Sequence, residues 1–236
     1  MKIIDSYPEI LTLIAGSNRR FDIIKWDKYA ESISPALSGK CKAKTDHYSF
    51  VRDLLPVLNQ AYIEAEKLET AHRSFLQAMK GLEDKVMSKT GTDLDAVVVF
   101  YIGLCNGAGW ADELDGNPTV LLGAEKIIEL GWYGLERMAA LIYHEIGHLW
   151  HKAVGLMDQK TNDCRDEYIL QLYQEGIAMH FEQLMMDDFG YYHQNDTAWR
   201  GWCKTNERRA AAEYLRRLNT QRSCQDFFGD WCSFEG

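Results

Sequence analysis

Residues 141–148 read Leu141-Ile142-Tyr143-His144-Glu145-Ile146-Gly147-His148, two histidines four positions apart with a glutamate directly after the first. Each residue of an α-helix turns the chain by about 100°, so positions i and i+4 project from one face about one turn apart. The flanks predict that helix. With His144 as reference, Met138, Ala139, Ile142, Ile146, Leu149 and Ala153 gather on the opposite side as a core face. The helix is expected over Leu135–Val154, closed by Gly155 as its C-cap.

Two imidazoles so placed can reach one zinc ion at about 2.0–2.1 Å. Glu145 lies about 100° around the helix, beside the metal without being forced to ligate it, where it can serve as general base toward a metal-activated water. Gly147 falls near the same side. A glycine in a helix interior costs about 1 kcal/mol relative to alanine, so its presence implies that another backbone or a substrate comes close. Seven histidines make an HxxxH pair by chance no rarity, but the added glutamate and the apolar opposite face favour a zinc site over coincidence.

A catalytic zinc wants three protein ligands and an open position. A histidine six residues after His148 would mark the metzincin pattern; Val154 stands there instead. The better third ligand is Glu175, in Tyr173-Gln174-Glu175-Gly176-Ile177-Ala178, on a helix expected from about Asp163 to Asp187. Antiparallel packing of the two helices would bring it over the histidine pair. Tyr168, Glu175 and Glu182 are spaced by seven and share one face of that helix. Glu182 then either orients a histidine ligand, meets a substrate amine, or is a solvated acid. His180 and His193 are the competing donors; His180 lies about 140° around from Glu175, as a structural or exposed residue would.

Outward from this centre, the chain divides near residue 91. Residues 1–90 read as a helical N-terminal region. Asp46–Lys89 carries two or more amphipathic helices, periodic in Leu54, Leu55, Leu58, Ala61, Tyr62 and Ala65, with Pro56 in a first turn and Gly81 at a break. Leu94–Leu104 contains Val97-Val98-Val99-Phe100-Tyr101-Ile102, a buried strand, and Thr119–Leu122 is a second candidate. Turn-rich segments, Asn106–Trp110 and Asp115–Pro118, lie between them. A last helix is expected over about Thr197–Leu218. The fold class is mainly α with a small β-sheet, α+β, in two regions or one continuous domain.

A chain of 236 residues that is 46% hydrophobic and 26% charged can bury a core and is neither disordered nor fibrous. Its net charge of -9 argues against nucleic acid or an anionic membrane as the main partner. The pairs Arg19-Arg20, Arg208-Arg209 and Arg216-Arg217 read as solvated helix faces. The six cysteines show no CxxC spacing, which excludes a thiolate zinc ribbon and a thioredoxin-type pair; free thiols are expected. The N-terminus lacks an uninterrupted apolar stretch, since Asp5, Pro8 and Glu9 interrupt it, and no run reaches the roughly 18 apolar residues of a bilayer span. A cytoplasmic location is expected.

The pair His-Glu-x-x-His with the downstream Glu175-Gly176-Ile177-Ala178 resembles the gluzincin superfamily of zinc metallopeptidases, which includes thermolysin-like and aminopeptidase enzymes. More closely, Ile102–Trp150, with Asn106-Gly107-Ala108-Gly109-Trp110 and Leu141–His148, is similar to a little-studied family of predicted zinc-dependent proteases. That likeness covers about residues 95–190, with Phe227-Phe228-Gly229-Asp230-Trp231 as a further point. The resemblance implies a zincin-like catalytic region over 91–236, with the HExxH helix packed near an edge strand. It implies Zn2+ held by His144, His148 and Glu175, with Glu145 as catalytic base. It also implies a peptide or protein substrate laid along the edge strand, beside Gly107–Trp110 (Gly109 and Trp110 foremost) or beside Thr119–Leu122. A structural turn is the other reading of the glycines. Tyr191, Tyr192 and His193 are the candidates for stabilising an oxyanion.

The expected activity is thus zinc-dependent hydrolysis of peptide bonds. A catalytically inactive zincin-like binding or scaffold protein is the alternative, and a structural histidine pair within an interaction protein is a third reading.

Overall fold

The computed structural model describes residues 1–45, 48–155, 164–191, 197–218 and 220. A short strand, β1 (Lys2–Asp5), leads into helices α1 (Tyr7–Gly16), α2 (Ile23–Ile33) and α3 (Leu37–Ala43). A π-helical turn over Phe50–Leu54 opens α4 (Leu55–Ile63), followed by α5 (Ala65–Ala78) and α6 (Leu82–Thr90). Strands β2 (Val97–Tyr101), β3 (Gly109–Leu114) and β4 (Asn117–Gly123) come next. The chain continues through α7 (Ala124–Glu129), α8 (Leu135–Val154), α9 (Cys164–Met186), α10 (Thr197–Thr205) and α11 (Glu207–Leu218). It is mainly helical with one four-stranded sheet, an α+β fold.

The strand order is β1-β2-β4-β3, with β1, β2 and β4 parallel and β3 antiparallel to β4. Val98, Val99, Phe100 and Tyr101 are fully buried, as suits a β-branched and aromatic run covered on both faces. The β3–β4 hairpin turns at Asp115 (φ 51°) and Gly116 (φ 79°), the two left-handed residues that a tight turn between twisted strands requires.

Several expectations are refined. Residues 1–90 are not helical throughout, because Lys2–Asp5 pairs with Val97–Phe100 and adds β1 to the sheet. Its four residues are too few to show a period. Helical periodicity in 54–65 holds through Tyr62 and then breaks: Glu64 separates α4 from α5, leaving Ala65 exposed at the start of the next helix. Pro56 lies in the first turn of α4, where its missing N–H is an orphan anyway. Gly81 (φ 69°) divides α5 from α6. Thr119–Leu122 is a strand, but β4 lies between β2 and β3 with both edges paired, so it cannot receive a peptide. The helix expected over 197–218 is two, divided at Asn206, whose side chain donates to the Trp202 carbonyl at 2.9 Å, a local competitor to helix continuation.

Helix α8 occupies the expected span, but it is a central element rather than one with a single core face. Met138, Ile142 and Ile146 are fully buried, and Ala140, Leu141, Tyr143 and Gly147 are buried on other sides. Each large apolar side chain so buried contributes about 1.5–3 kcal/mol. Ala153 is exposed, because residues 152–154 run beyond the layers that cover the rest. Gly155 follows in an extended conformation and donates its N–H to the His151 carbonyl at 2.8 Å. Helix α8 packs on α9, α5, β3 and β4. One apolar core runs from Ile10 to Met185. No helix among the described residues is long and apolar enough to cross a membrane.

Candidate metal centre

Helices α8 and α9 meet in descending register: His144 faces Glu182, Gly147 faces Ala178 and Phe181, and His151 faces Tyr173. They are therefore antiparallel, and Gly147 fixes how closely. A Cβ there would sit 2.9 Å from Phe181 Cβ and 3.0 Å from the Ala178 Cα, nearer than real side chains come. The approaching backbone that this glycine implied is that of α9.

Close approach brings three donors together. His144 Nε2 lies 3.3 Å from Glu175 Oε2, and His148 Nε2 lies 3.7 Å from the same oxygen. One donor atom from each of His144, His148 and Glu175 falls within 4.8 Å of the others. Ligands about 2.0–2.1 Å from a tetrahedral zinc stand roughly 3.4 Å apart. Two imidazole nitrogens and one carboxylate oxygen at these separations fit such a cation.

Behind the donors, Glu182 is fully buried, with Oε2 3.3 Å from His144 Nδ1. It is not the solvated acid. A carboxylate on Nδ1 fixes the tautomer that leaves Nε2 as a ligand. Glu182→Ala is therefore expected to weaken zinc affinity by about 10- to 100-fold, read by competition against a chromophoric chelator. An unchanged affinity would show that Glu182 orients nothing.

Charge in this pocket is unbalanced towards the acids. Burial opposes the charge on His144, but Glu175 and Glu182 outweigh it and hold the imidazole up to about 10. Burial, then the neighbouring His144, pushes His148 down to about 4 while Glu175 pulls the other way. A proton on His144 thus stands where a cation would otherwise balance the carboxylates. Glu145 is buried on the adjacent side of α8, 7% exposed. Burial first, with help from Glu175 and Glu182 and against His144 and Lys44, raises its carboxyl to about 7.

The edge strand crosses beside Glu145. A Cβ on Gly109 would come within 2.7 Å of Glu145 Cγ and 2.8 Å of Oε1, so any larger residue where β3 passes would displace the carboxylate. Gly109 and Trp110 are thus strand residues on the edge next to Glu145, and Gly107 (φ 152°) belongs to the turn that leads in. The Trp110 indole is 7% exposed and donates to the Tyr101 hydroxyl at 2.9 Å. Its side chain is built into the sheet, leaving the strand's main chain as the part that can meet a ligand.

His180 is exposed and stacks on Phe189, 5.6 Å between centroids, outside the donor group. Tyr191 lies with Glu136 and Arg137 from the first turn of α8; burial, then Glu136 and Glu182, pushes its hydroxyl up to about 12. Tyr192 and His193 lie outside the described residues, as does Phe227–Trp231. Cys41, Cys105 and Cys203 form no disulfide among the described residues. Sequence reasoning missed Lys44, whose ammonium lies 3.9 Å from the centre of the Trp110 ring. A single lysine sixty-six positions before Trp110 carries no pattern that would have found it.

Comparison with known protein families, with curated proteins and with solved structures returns no match.

Proposed function

We propose that the chain is a zinc-dependent peptidase of zincin-like architecture. The observation that carries this reading is the convergence of His144, His148 and Glu175, one donor atom from each within 4.8 Å of the others, with His144 Nε2 and His148 Nε2 at 3.3 and 3.7 Å from one Glu175 oxygen. Zinc bound there would polarise a scissile carbonyl and lower the pKa of water toward about 7. His144, His148 and Glu175 hold it, and Glu182 fixes the ring of His144 through Nδ1.

Glu145 is the general base. Its carboxyl, raised to about 7, is matched to accepting a proton from attacking water near neutral pH and handing it to the leaving amine. Strand β3 supports the substrate: its outer edge pairs with no other described strand, and Gly109 sets that edge against Glu145. A peptide main chain laid beside β3 would be held in extended form with its scissile bond near the base. Burial of His144 and Glu145 keeps bulk water from screening these charges.

Zinc titration joined to peptide digestion tests the reading. At about pH 7.5, His144, held up to about 10, still carries its proton, whereas His148, held down to about 4, does not. Ligation by His144 must displace that proton. Zinc binding is therefore expected to release about one proton, and affinity to rise roughly tenfold per pH unit until the pKa of His144 is passed. The loaded protein is expected to cleave members of an unbiased peptide pool, to stop when a chelator removes the metal, and to resume when zinc is restored. No stoichiometric metal uptake, or uptake without cleavage, would overturn the peptidase assignment.

A further inference from the structure

Glu125, in the first turn of α7, is 1% exposed, and both oxygens of its carboxylate are spent on main-chain N–H groups. Oε2 accepts from the Gly103 N–H at 2.8 Å and Oε1 from the Cys105 N–H at 3.0 Å. Both donors belong to the turn that links β2 to β3, where Cys105 takes a left-handed conformation (φ 61°). A non-glycine residue stays in that conformation only where its surroundings impose it. Burial pushes the Glu125 carboxyl up to about 7, against the pull of the Gly103, Glu125 and Cys105 amides. A carboxylate so buried is tolerated because N–H groups satisfy it.

The turn carries that hold into β3. Gly123, the last residue of β4, packs between the two: a Cβ there would stand 2.7 Å from the Gly107 carbonyl oxygen and 3.1 Å from Glu125 Oε1. Its N–H donates to the Ala108 carbonyl at 3.0 Å, so Ala108 and Gly123 are a hydrogen-bonded pair. Main-chain direction alternates along an antiparallel strand, and Gly109 lies opposite Leu122, so the Gly109 N–H and C=O point away from β4 to the open edge. Pro118 fits this alternation, since it lies opposite Glu113, two pairs of residues further on, and has no N–H to donate. Asn106 braces the middle of the turn separately, donating Nδ2 to the Cys41 carbonyl at 2.7 Å. Gly109 is also the residue set against Glu145 Cγ. Direct contacts thus run from the Glu125 carboxylate, through the turn, to the main chain that stands at the edge beside the base.

We propose that Glu125 is a positioning residue: by holding the turn over 103–108 it fixes where the Gly109 main chain is presented to a peptide laid along β3. This deepens the peptidase reading and rests on it for the ligand being a peptide. A merely structural Glu125 would set stability and leave the edge alone, and the test separates the two.

The experiment compares the zinc-loaded 236-residue chain with its Glu125→Gln and Gly123→Ala variants. Glutamine keeps the side chain's shape but turns an NH2 group toward one of the two N–H donors. Alanine keeps the carboxylate and displaces the Gly107 carbonyl instead. Amide exchange, read by mass spectrometry, is expected to quicken about tenfold or more over residues 103–110 in both variants and to stay within about twofold over α8. Zinc affinity is expected to hold, since α8 and α9 carry the donors. With an octapeptide that the parent chain cleaves as probe, KM is expected to rise about 5- to 20-fold and kcat to stay within about threefold, because the edge binds substrate and transition state alike. Should Glu125→Gln fail to fold, Gly123→Ala carries the same two readouts. Unchanged exchange over 103–110, or a fall in kcat with KM unaltered, overturns the proposal. Quickened exchange in a protein whose parent cleaves no peptide would sink the peptidase reading and leave the hold on β3 standing. Cleavage with an unaltered KM in both variants would do the reverse.

Discussion

Glu145→Gln is expected to lower peptide hydrolysis by about 10²- to 10⁴-fold while zinc remains bound. Glutamine keeps the shape of the side chain in a pocket where Gly109 leaves no slack, so β3 and α8 need not move. What disappears is a proton acceptor beside the donor triad. Glu145 is not needed as a ligand, because His144, His148 and Glu175 already supply three. The variant should thus separate binding from chemistry: metal content close to that of the parent, turnover lost. Hydrolysis within a few-fold of the parent would show that another group takes the proton, and the assigned mechanism would fall.

The second large effect is expected at a residue with no side chain. Gly147→Val must push α9 away, because the new Cβ would meet Phe181 Cβ at 2.9 Å and the Ala178 Cα at 3.0 Å, and backbone cannot give way as a flexible side-chain end can. Glu175 and Glu182 flank that contact on α9, so one separation withdraws both carboxylates from the histidines. The expected cost is about 1–3 kcal/mol of stability from overpacking, with zinc affinity reduced by at least about tenfold. Gly176→Ala supplies the contrast. It adjoins Glu175 on the same helix, but a Cβ there meets nothing within 4 Å, so it is expected to stabilise α9 by roughly 0.5–1 kcal/mol and leave zinc affinity intact. Thermal melts with and without zinc on both variants check the pair. Equal behaviour of the two would mean that the helix contact does not set the site.

The span of α8 was legible because helical periodicity and a glycine at the end pointed the same way. Its burial on every side was not, since polar residues such as His144 and Glu145 mark a solvent face in a pattern and are buried here by partners distant in sequence. Glu175 could be named from spacing and an expected antiparallel packing of helices. The role of Glu182 stayed open, because seven-residue spacing fixes a helix face but not what that face meets. Gly147 signalled close approach by its cost alone, and the partner turned out to be backbone. The strand order could not be read. Val97–Tyr101 and Thr119–Leu122 are both apolar runs, and only pairing shows that the second is interior while Gly109–Leu114, with its mixed pattern, takes the edge. Lys44 was invisible for the same reason: its place is set by the packing of α3 on the sheet.

The most direct measurement is anomalous scattering at the zinc absorption edge from crystals of the metal-loaded protein. The account predicts a single strong peak between α8 and α9, about 2.0–2.1 Å from His144 Nε2 and His148 Nε2 and about 2.0–2.2 Å from a Glu175 oxygen. No peak there, or a peak with Glu175 turned away from it, would contradict the account.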